Sequence, residues 1–206
     1  GRVDPLVVAL LNRLASTKLS DYFRVVGTHA LYAYEAAAGV RLDAEALATR
    51  DIDLLWDTRK RIIFSTQLAR VDSSMLGVLK KVDSTFRIRK SQKYTAVNKD
   101  GFEVDIIRRE RAGDDPHPIK LSDEDEDFWV VQAQRANVLL DSPSFSAIIV
   151  ASNGTMARMN TVHPATFVAF KRWMSTQPGR EAMKRRRDVL QADTVQKMLE
   201  EYLPHL

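Results

Sequence analysis

Arg50-Asp51-Ile52-Asp53-Leu54-Leu55-Trp56 alternates acidic with aliphatic residues before it closes on an apolar run. As a β-strand, with side chains repeating every second position, it sends Asp51 and Asp53 to one face and Ile52 and Leu54 to the other. Two carboxylates side by side repel, and desolvation penalises each ion further. A divalent cation relieves both costs. Hard oxygen donors of this kind suit magnesium or manganese, and magnesium sites commonly combine one or two carboxylates with substrate phosphates. The plain alternative is a wet strand end carrying two unremarkable aspartates.

At 206 residues and 45% hydrophobic content the chain has the composition of an ordinary globular protein with a sizeable core. No apolar run approaches the roughly 20 residues that span a bilayer. The opening Gly1-Arg2-Val3-Asp4-Pro5 lacks the basic and apolar regions of a signal peptide, so the expected location is cytoplasmic, away from membranes. The abrupt start of the first helix at Pro5, with no turn or cap before it, suggests a piece of a longer natural chain. With no cysteine, disulfides, thiolate metal sites and cysteine nucleophiles are excluded. His29, His117, His163 and His205 show no metal-ligand spacing. The net charge is a mild +4, but cations bunch at Arg108-Arg109-x-Arg111 and at Lys184-Arg185-Arg186-Arg187. Such runs favour an anionic ligand when they are not simply solvated faces.

Around the central strand, residues 3–17 read as an amphipathic helix through Val7, Val8, Leu10, Leu11 and Leu14. Tyr22 to Val26 reads as a strand that ends at Gly27-Thr28-His29, and the alanine-rich stretch from Ala30 as a helix stopped by Gly39. A strand, Gly-Thr, helix junction is a plausible phosphate seat. Glycine permits close approach, the threonine hydroxyl can bond an oxyanion, and a helix N-terminus presents free N–H groups. The sequence lacks the glycine-rich signatures of a P-loop or a dinucleotide fold. Residues 40–49 read as a polar connection, 60–64 as ambiguous, and 72–82 as a helix.

Residues 85–89, 94–97 and 102–107 then form a hairpin-like series, punctuated by Asn98-Lys99-Asp100-Gly101. In its last strand Glu103 and Asp105 share a face, which supplies a third carboxylate. The charged run Asp123-Glu124-Asp125-Glu126-Asp127 reads as a solvated loop, and 129–136 as a short helix. Two further strands, 145–150 and 157–162, flank the turn Asn153-Gly154. From Pro164 the pattern is helical, first around Phe167, Phe170, Lys171 and Trp173, then from Arg180 to Tyr202. Lys171, a cation among aromatics, either snorkels to solvent or meets an anion.

Taken in order, a strand ending in Gly27-Thr28, a strand carrying Asp51-Ile52-Asp53 and a later strand carrying Asp105 resemble the polymerase-β-like nucleotidyltransferase superfamily. The segments Val26-Gly27-Thr28-His29-Ala30-Leu31-Tyr32-Ala33-Tyr34 and Thr49-Arg50-Asp51-Ile52-Asp53-Leu54 are similar to its bacterial stand-alone branch. That branch is related to toxin components of abortive-infection systems. Thr28 departs from the commoner serine but keeps the hydroxyl. The likeness spans roughly residues 22–190.

The resemblance implies an α+β fold, a mixed α/β sheet flanked by helices with a helical C-terminal part. Residues 1–127 would be the nucleotidyltransferase core, and 128–206 a short hairpin followed by two helices closing the nucleotide cleft. It further implies that Asp51, Asp53 and Asp105 are the catalytic residues and hold Mg2+ (or Mn2+). Gly27, Thr28, Lys171, Lys184 and Arg187 would contact the NTP, with Arg187 and Asp188 as a supporting pair and Asp105 assisting as a general base. The reaction would move a nucleoside monophosphate to a hydroxyl of RNA, protein or a small molecule. Which acceptor, which NTP and what oligomeric state apply is left open at this stage. The alternatives are a non-catalytic module of the same fold that binds nucleotide, RNA or protein, and a metal-dependent nuclease. The nuclease is disfavoured because Asp105, rather than lysine, follows Glu103 by two residues. A glycosyltransferase ranks last, since no series of βαβ units precedes Asp51.

Overall fold

In the computed structural model, which describes residues 2–206, the alternating stretch is strand β2 (Asp51–Trp56), and the sheet grows outward from it. Antiparallel pairing joins it to β1 (Phe23–Val26), while β5 (Glu103–Arg109) runs parallel on its other side. Beyond β5, β4 (Gln92–Val97) and β3 (Arg87–Arg89) continue as an antiparallel meander. Beyond β1 comes β8 (Met156–Val162), parallel to it, and then β7 (Ser144–Val150), antiparallel to β8. The short β6 (Val131–Ala133) pairs with the far end of β5, where β4 no longer reaches. Among the described residues this makes one open mixed sheet in the order β3-β4-β5-β2-β1-β8-β7, with β6 beside β5.

The period-2 pattern divides the core into two layers. Ile52, Leu54 and Trp56 of β2 and Val104 and Ile106 of β5 face α1 (Pro5–Ser16), α4 (Arg61–Val71) and α5 (Met75–Lys80). Leu55 of β2, with Val26 and Val162, faces α2 (Ala30–Ala38), α6 (Ala136–Asp141), α7 (Pro164–Ser175) and α8 (Ala182–Glu201). Fully burying one such aliphatic or aromatic side chain contributes about 1.5–3 kcal/mol. On this second face β2 changes from acid at Asp51 and Asp53 to apolar at Leu55. The acids therefore stand where the helical layer gives out.

The architecture is the helix-flanked mixed sheet that the sequence implies, with several local corrections. Residues 129–136 are not a helix. Val131–Ala133 is a strand edge-paired to β5, and the helix begins only at Ala136. The connection 40–49 holds the short helix α3 (Ala44–Leu47), whose Ala46 and Leu47 are buried. The first helix has a cap after all, because Asp4 accepts from Leu6 N at 2.8 Å and Pro5 occupies the position where a missing N–H costs nothing. The 145–162 hairpin extends the main sheet through β1.

Two members of the arginine cluster at 108–111 are structural. Arg108 is wholly buried and donates to the carbonyls of Pro116 and Arg109, while Arg109 pairs with Asp115 at 2.6 Å. The last residue of the acidic run is equally structural. Asp127 is buried, and its carboxylate accepts from Met75 N, Leu76 N and the Ser122 hydroxyl at 3.0, 2.9 and 2.6 Å. It thereby satisfies the free donors at the start of α5.

Removing that carboxylate strands two buried N–H groups. Asp127→Ala is expected to cost about 2 kcal/mol of stability, and Asp127→Asn, which keeps one acceptor, less. Urea unfolding of the two variants checks the order.

Candidate active site

The site begins with register. The parallel β2–β5 pairing sets Asp53 beside Asp105 and Asp51 beside Glu103, and the antiparallel β1–β2 pairing sets Val26 beside Asp53. Strand parity then brings Asp51, Asp53 and Asp105 to one face, where one oxygen from each lies within 4.8 Å of the other two. Glu103 shares that face but is drawn away by an ion pair with Arg89. Two hydroxyls hold the outer members of the triad. Thr49 donates to the Asp51 carboxylate, and Thr95 donates to that of Asp105 at 2.5 Å.

Asp53, between them, is pressed against the turn that follows β1. A Cβ added to Gly27 would come within 2.2 Å of Asp53 Oδ2, and Gly27 also holds a left-handed φ of 69°. Both facts demand glycine here. Thr28 and His29 continue this turn as a single 3₁₀ turn leading into α2. His29 is buried, and its Nδ1 lies 2.9 Å from the Asp51 carbonyl oxygen. The Thr28 hydroxyl accepts from Gln191 Nε2 of α8 at 3.2 Å, and the same amide nitrogen donates to the Ala46 carbonyl at 2.7 Å. The hydroxyl proton of Thr28 thus remains available to another acceptor.

Electrostatics follow the crowding. Burial raises Asp53 to about 7, and the charges of Asp51 and Asp105 push the same way, while Lys171 and Arg180 pull against them. Burial likewise raises Asp105, opposed by the Thr95 hydrogen bond. Three oxygen-donating carboxylates with little positive charge in direct contact form the donor set that suits a hard divalent cation. The residues fit such an ion.

Beside the triad opens a pocket of about 390 Å³. Gly27, Asp53, Lys171 and Arg180 give it a polar side, and Leu139, Phe167, Phe170 and Met174 an apolar one. Lys171 is buried, and its Nζ donates to Asp188 Oδ1 at 2.8 Å. Arg180 clasps the same carboxylate through Nε and Nη2 at 2.8 and 3.2 Å. Burial lowers the Lys171 pKa, and Asp188 resists that shift. Against the upward push of its own burial, Asp188 is held low by Arg180 and Lys171. Asp188 thus pairs with Lys171 and Arg180, whereas Arg187 donates to the Ala48 carbonyl at 3.0 Å. Lys184 pairs with exposed Glu181 at 3.1 Å. These last two cations line a separate groove with Glu45 and Leu190.

The structure therefore brings together Gly27, Thr28, Asp51, Asp53, Asp105 and Lys171, and leaves Lys184 and Arg187 apart. Sequence reasoning missed Arg180 and Gln191. Arg180 follows Gln177-Pro178-Gly179 as a bare helix start, and Gln191 reads as one polar residue on a long helix. Neither carries a local signal.

A protein-family model described as Nucleotidyltransferase matches residues 6–206 of the chain. No curated protein and no solved structure matches it.

Because Asp53 takes up its proton more readily folded than unfolded, the metal-free protein is favoured on the acid side. It loses that stability as pH rises from the ordinary carboxyl range through about 7. Asp53→Asn cannot ionise, so in EDTA it is expected to melt above the wild type at pH 8, by about 2–4 °C for each kcal/mol relieved, with the gain shrinking by pH 5. Thermal melts at the two pH values decide this.

Proposed function

The chain belongs to this nucleotidyltransferase family, and we propose that it is an active enzyme that moves a nucleoside monophosphate from an NTP to an acceptor hydroxyl and releases pyrophosphate. The observation that carries this reading is the convergence of Asp51, Asp53 and Asp105 on one sheet face against Gly27, beside a pocket that offers Lys171 and Arg180. Asp51, Asp53 and Asp105 would hold a divalent cation, Mg2+ or Mn2+. Such an ion neutralises phosphate charge and lowers the pKa of a hydroxyl.

The chain's own residues supply the rest. In this reading the turn at Gly27 and Thr28 receives phosphate oxygens, and the free Thr28 hydroxyl proton is donated to one of them. Lys171 and Arg180, steadied by Asp188, add positive charge on the side from which pyrophosphate leaves. The acceptor oxygen forms a bond to the α-phosphorus as the bond from that phosphorus to the bridging oxygen breaks. Asp105, oriented by Thr95, takes the acceptor's proton. Phenylalanines 167 and 170 and Met174 shelter the nucleoside, so α7 and α8 close the cleft. Lys184 and Arg187, in the separate groove beside α3, have no part in holding the nucleotide in this reading. Transfer of this kind rests chiefly on positioning and electrostatic stabilisation. Kinship with the branch that includes abortive-infection toxins is supported by the Val26–Tyr34 and Thr49–Leu54 segments.

Calorimetric titration of each NTP, with Mg2+ and with EDTA, tests the site. Magnesium-dependent binding is expected in the wild type and is expected to vanish in Asp51→Ala/Asp53→Ala. Asp53→Ala alone should keep the fold and slow nucleotide transfer by roughly 10²–10³-fold or more. Unchanged transfer in that variant would refute the reading.

A further inference from the structure

The triad's face of the sheet is roofed over part of its width. Helices α2, α7 and α8 cover it over β1 and β8, and α6 packs over the far end of β5. Over β4 and β3, beyond buried Thr95, side chains reach solvent, and the register says which they are. Thr95 bonds to Asp105, so Lys93, two residues earlier on β4, points to the triad's side. Arg87 lies opposite Val97, two residues after Thr95, and shares that side. Lys90 sits at the tip of the β3–β4 hairpin. All three are exposed, and among the described residues none has a carboxylate within ion-pair distance. Arg89, their neighbour, is already neutralised by Glu103.

Strands stand about 5 Å apart, so the Lys93 strand lies one spacing from Asp105 and the Arg87 strand two. Charges on an edge strand often serve only to prevent edge-to-edge pairing. That accounts for Arg87 on β3 but not for Lys93, whose carbonyl accepts from Trp129 N and so presents no free edge. A small acceptor would have no use for a row of free cations leading away from the reacting centre. An extended polyanion would.

We infer that the open β3–β4 face is the docking surface for a single-stranded nucleic acid whose terminal hydroxyl is the acceptor. The inference rests on the proposed nucleotide transfer and names its acceptor class. The strand's phosphates lie along Arg87, Lys90 and Lys93, and its end reaches Asp105 from the side opposite the helix-walled pocket. RNA and DNA share this chemistry.

The test uses the full chain with labelled single strands of about 12 nucleotides, one of RNA and one of DNA. Three phosphate contacts predict a slope of log affinity against log salt of roughly −2. Arg87→Glu/Lys90→Glu/Lys93→Glu is expected to weaken binding about tenfold or more and to flatten that slope. Its melting temperature and its calorimetric affinity for Mg2+–NTP should match the wild type. Label from NTP should pass to the bound strand and not to a strand with a blocked 3′ end. Whichever of RNA or DNA accepts label identifies the natural form. Equal strand affinity in the variant, binding without label transfer, or equally strong capture of polyglutamate in place of a duplex-free strand would each overturn the inference. Loss of NTP binding in the wild type would instead undo the proposed function, and that measurement does not depend on these three residues.

Discussion

The contact between Gly27 and Asp53 constrains the rest of the site. The carboxylate fills the space where any other residue would carry its Cβ, and the backbone there turns left-handed to make room. This packing ties the end of β1 to the middle of β2 and fixes where the turn before α2 stands relative to the acids. Asp105 is then fixed by parallel pairing, and Lys171 and Arg180 by a shared grip on buried Asp188. Each acid gains a neighbour that orients it, yet among the described residues their mutual repulsion is left uncompensated by any direct cationic contact. Rigid placement and unrelieved charge together are what would let the triad hold a cation.

Much of this was legible in the chain. Acid alternating with aliphatic residues in Asp51–Trp56 carries both the strand and the face of its acids, because period-2 geometry leaves no other choice. The glycine turn, the Asn98–Gly101 hairpin and the two C-terminal helices announce themselves in the same local way. What failed was mostly non-local. Trp129-Val130-Val131 is an aromatic and β-branched run that the helix reading passed over, and Val131–Ala133 is extended along the edge that β5 offers. Arg108 reads as a surface cation, but its strand parity turns it into the core beside Trp56. Asp127 reads as part of a solvated run, but it caps a helix about fifty positions earlier.

The same limit governs the site. Parity could pair Asp51 with Asp53, but the choice of Asp105 over Glu103 depends on register and on Arg89 claiming the nearer acid. Lys171 stands out as a cation among aromatics, whereas Arg180 and Gln191 matter only because α8 folds back over the glycine turn. A basic run such as Lys184–Arg187 attracts notice by composition, although Lys184, Arg186 and Arg187 face the α3 groove, Arg185 binds backbone carbonyls, and the unobtrusive Arg180 faces the pocket.

The pairing of β1 with β8 has a consequence for how the protein is made. Val25 finds its partner in Thr161, so β1 waits for a strand more than a hundred residues later. During synthesis, β1, β2 and β5 can pair and gather the three acids well before α7 and α8 leave the ribosome. Until those helices arrive, Leu55, Val26 and the apolar face around them lie open to water and to other chains. The α7–α8 segment therefore does two things in one step: it covers that apolar face and brings Lys171 and Arg180 to the pocket. A chain cut short before α7 would have its acids in place, a pocket without Lys171 and Arg180, and an apolar face open to water.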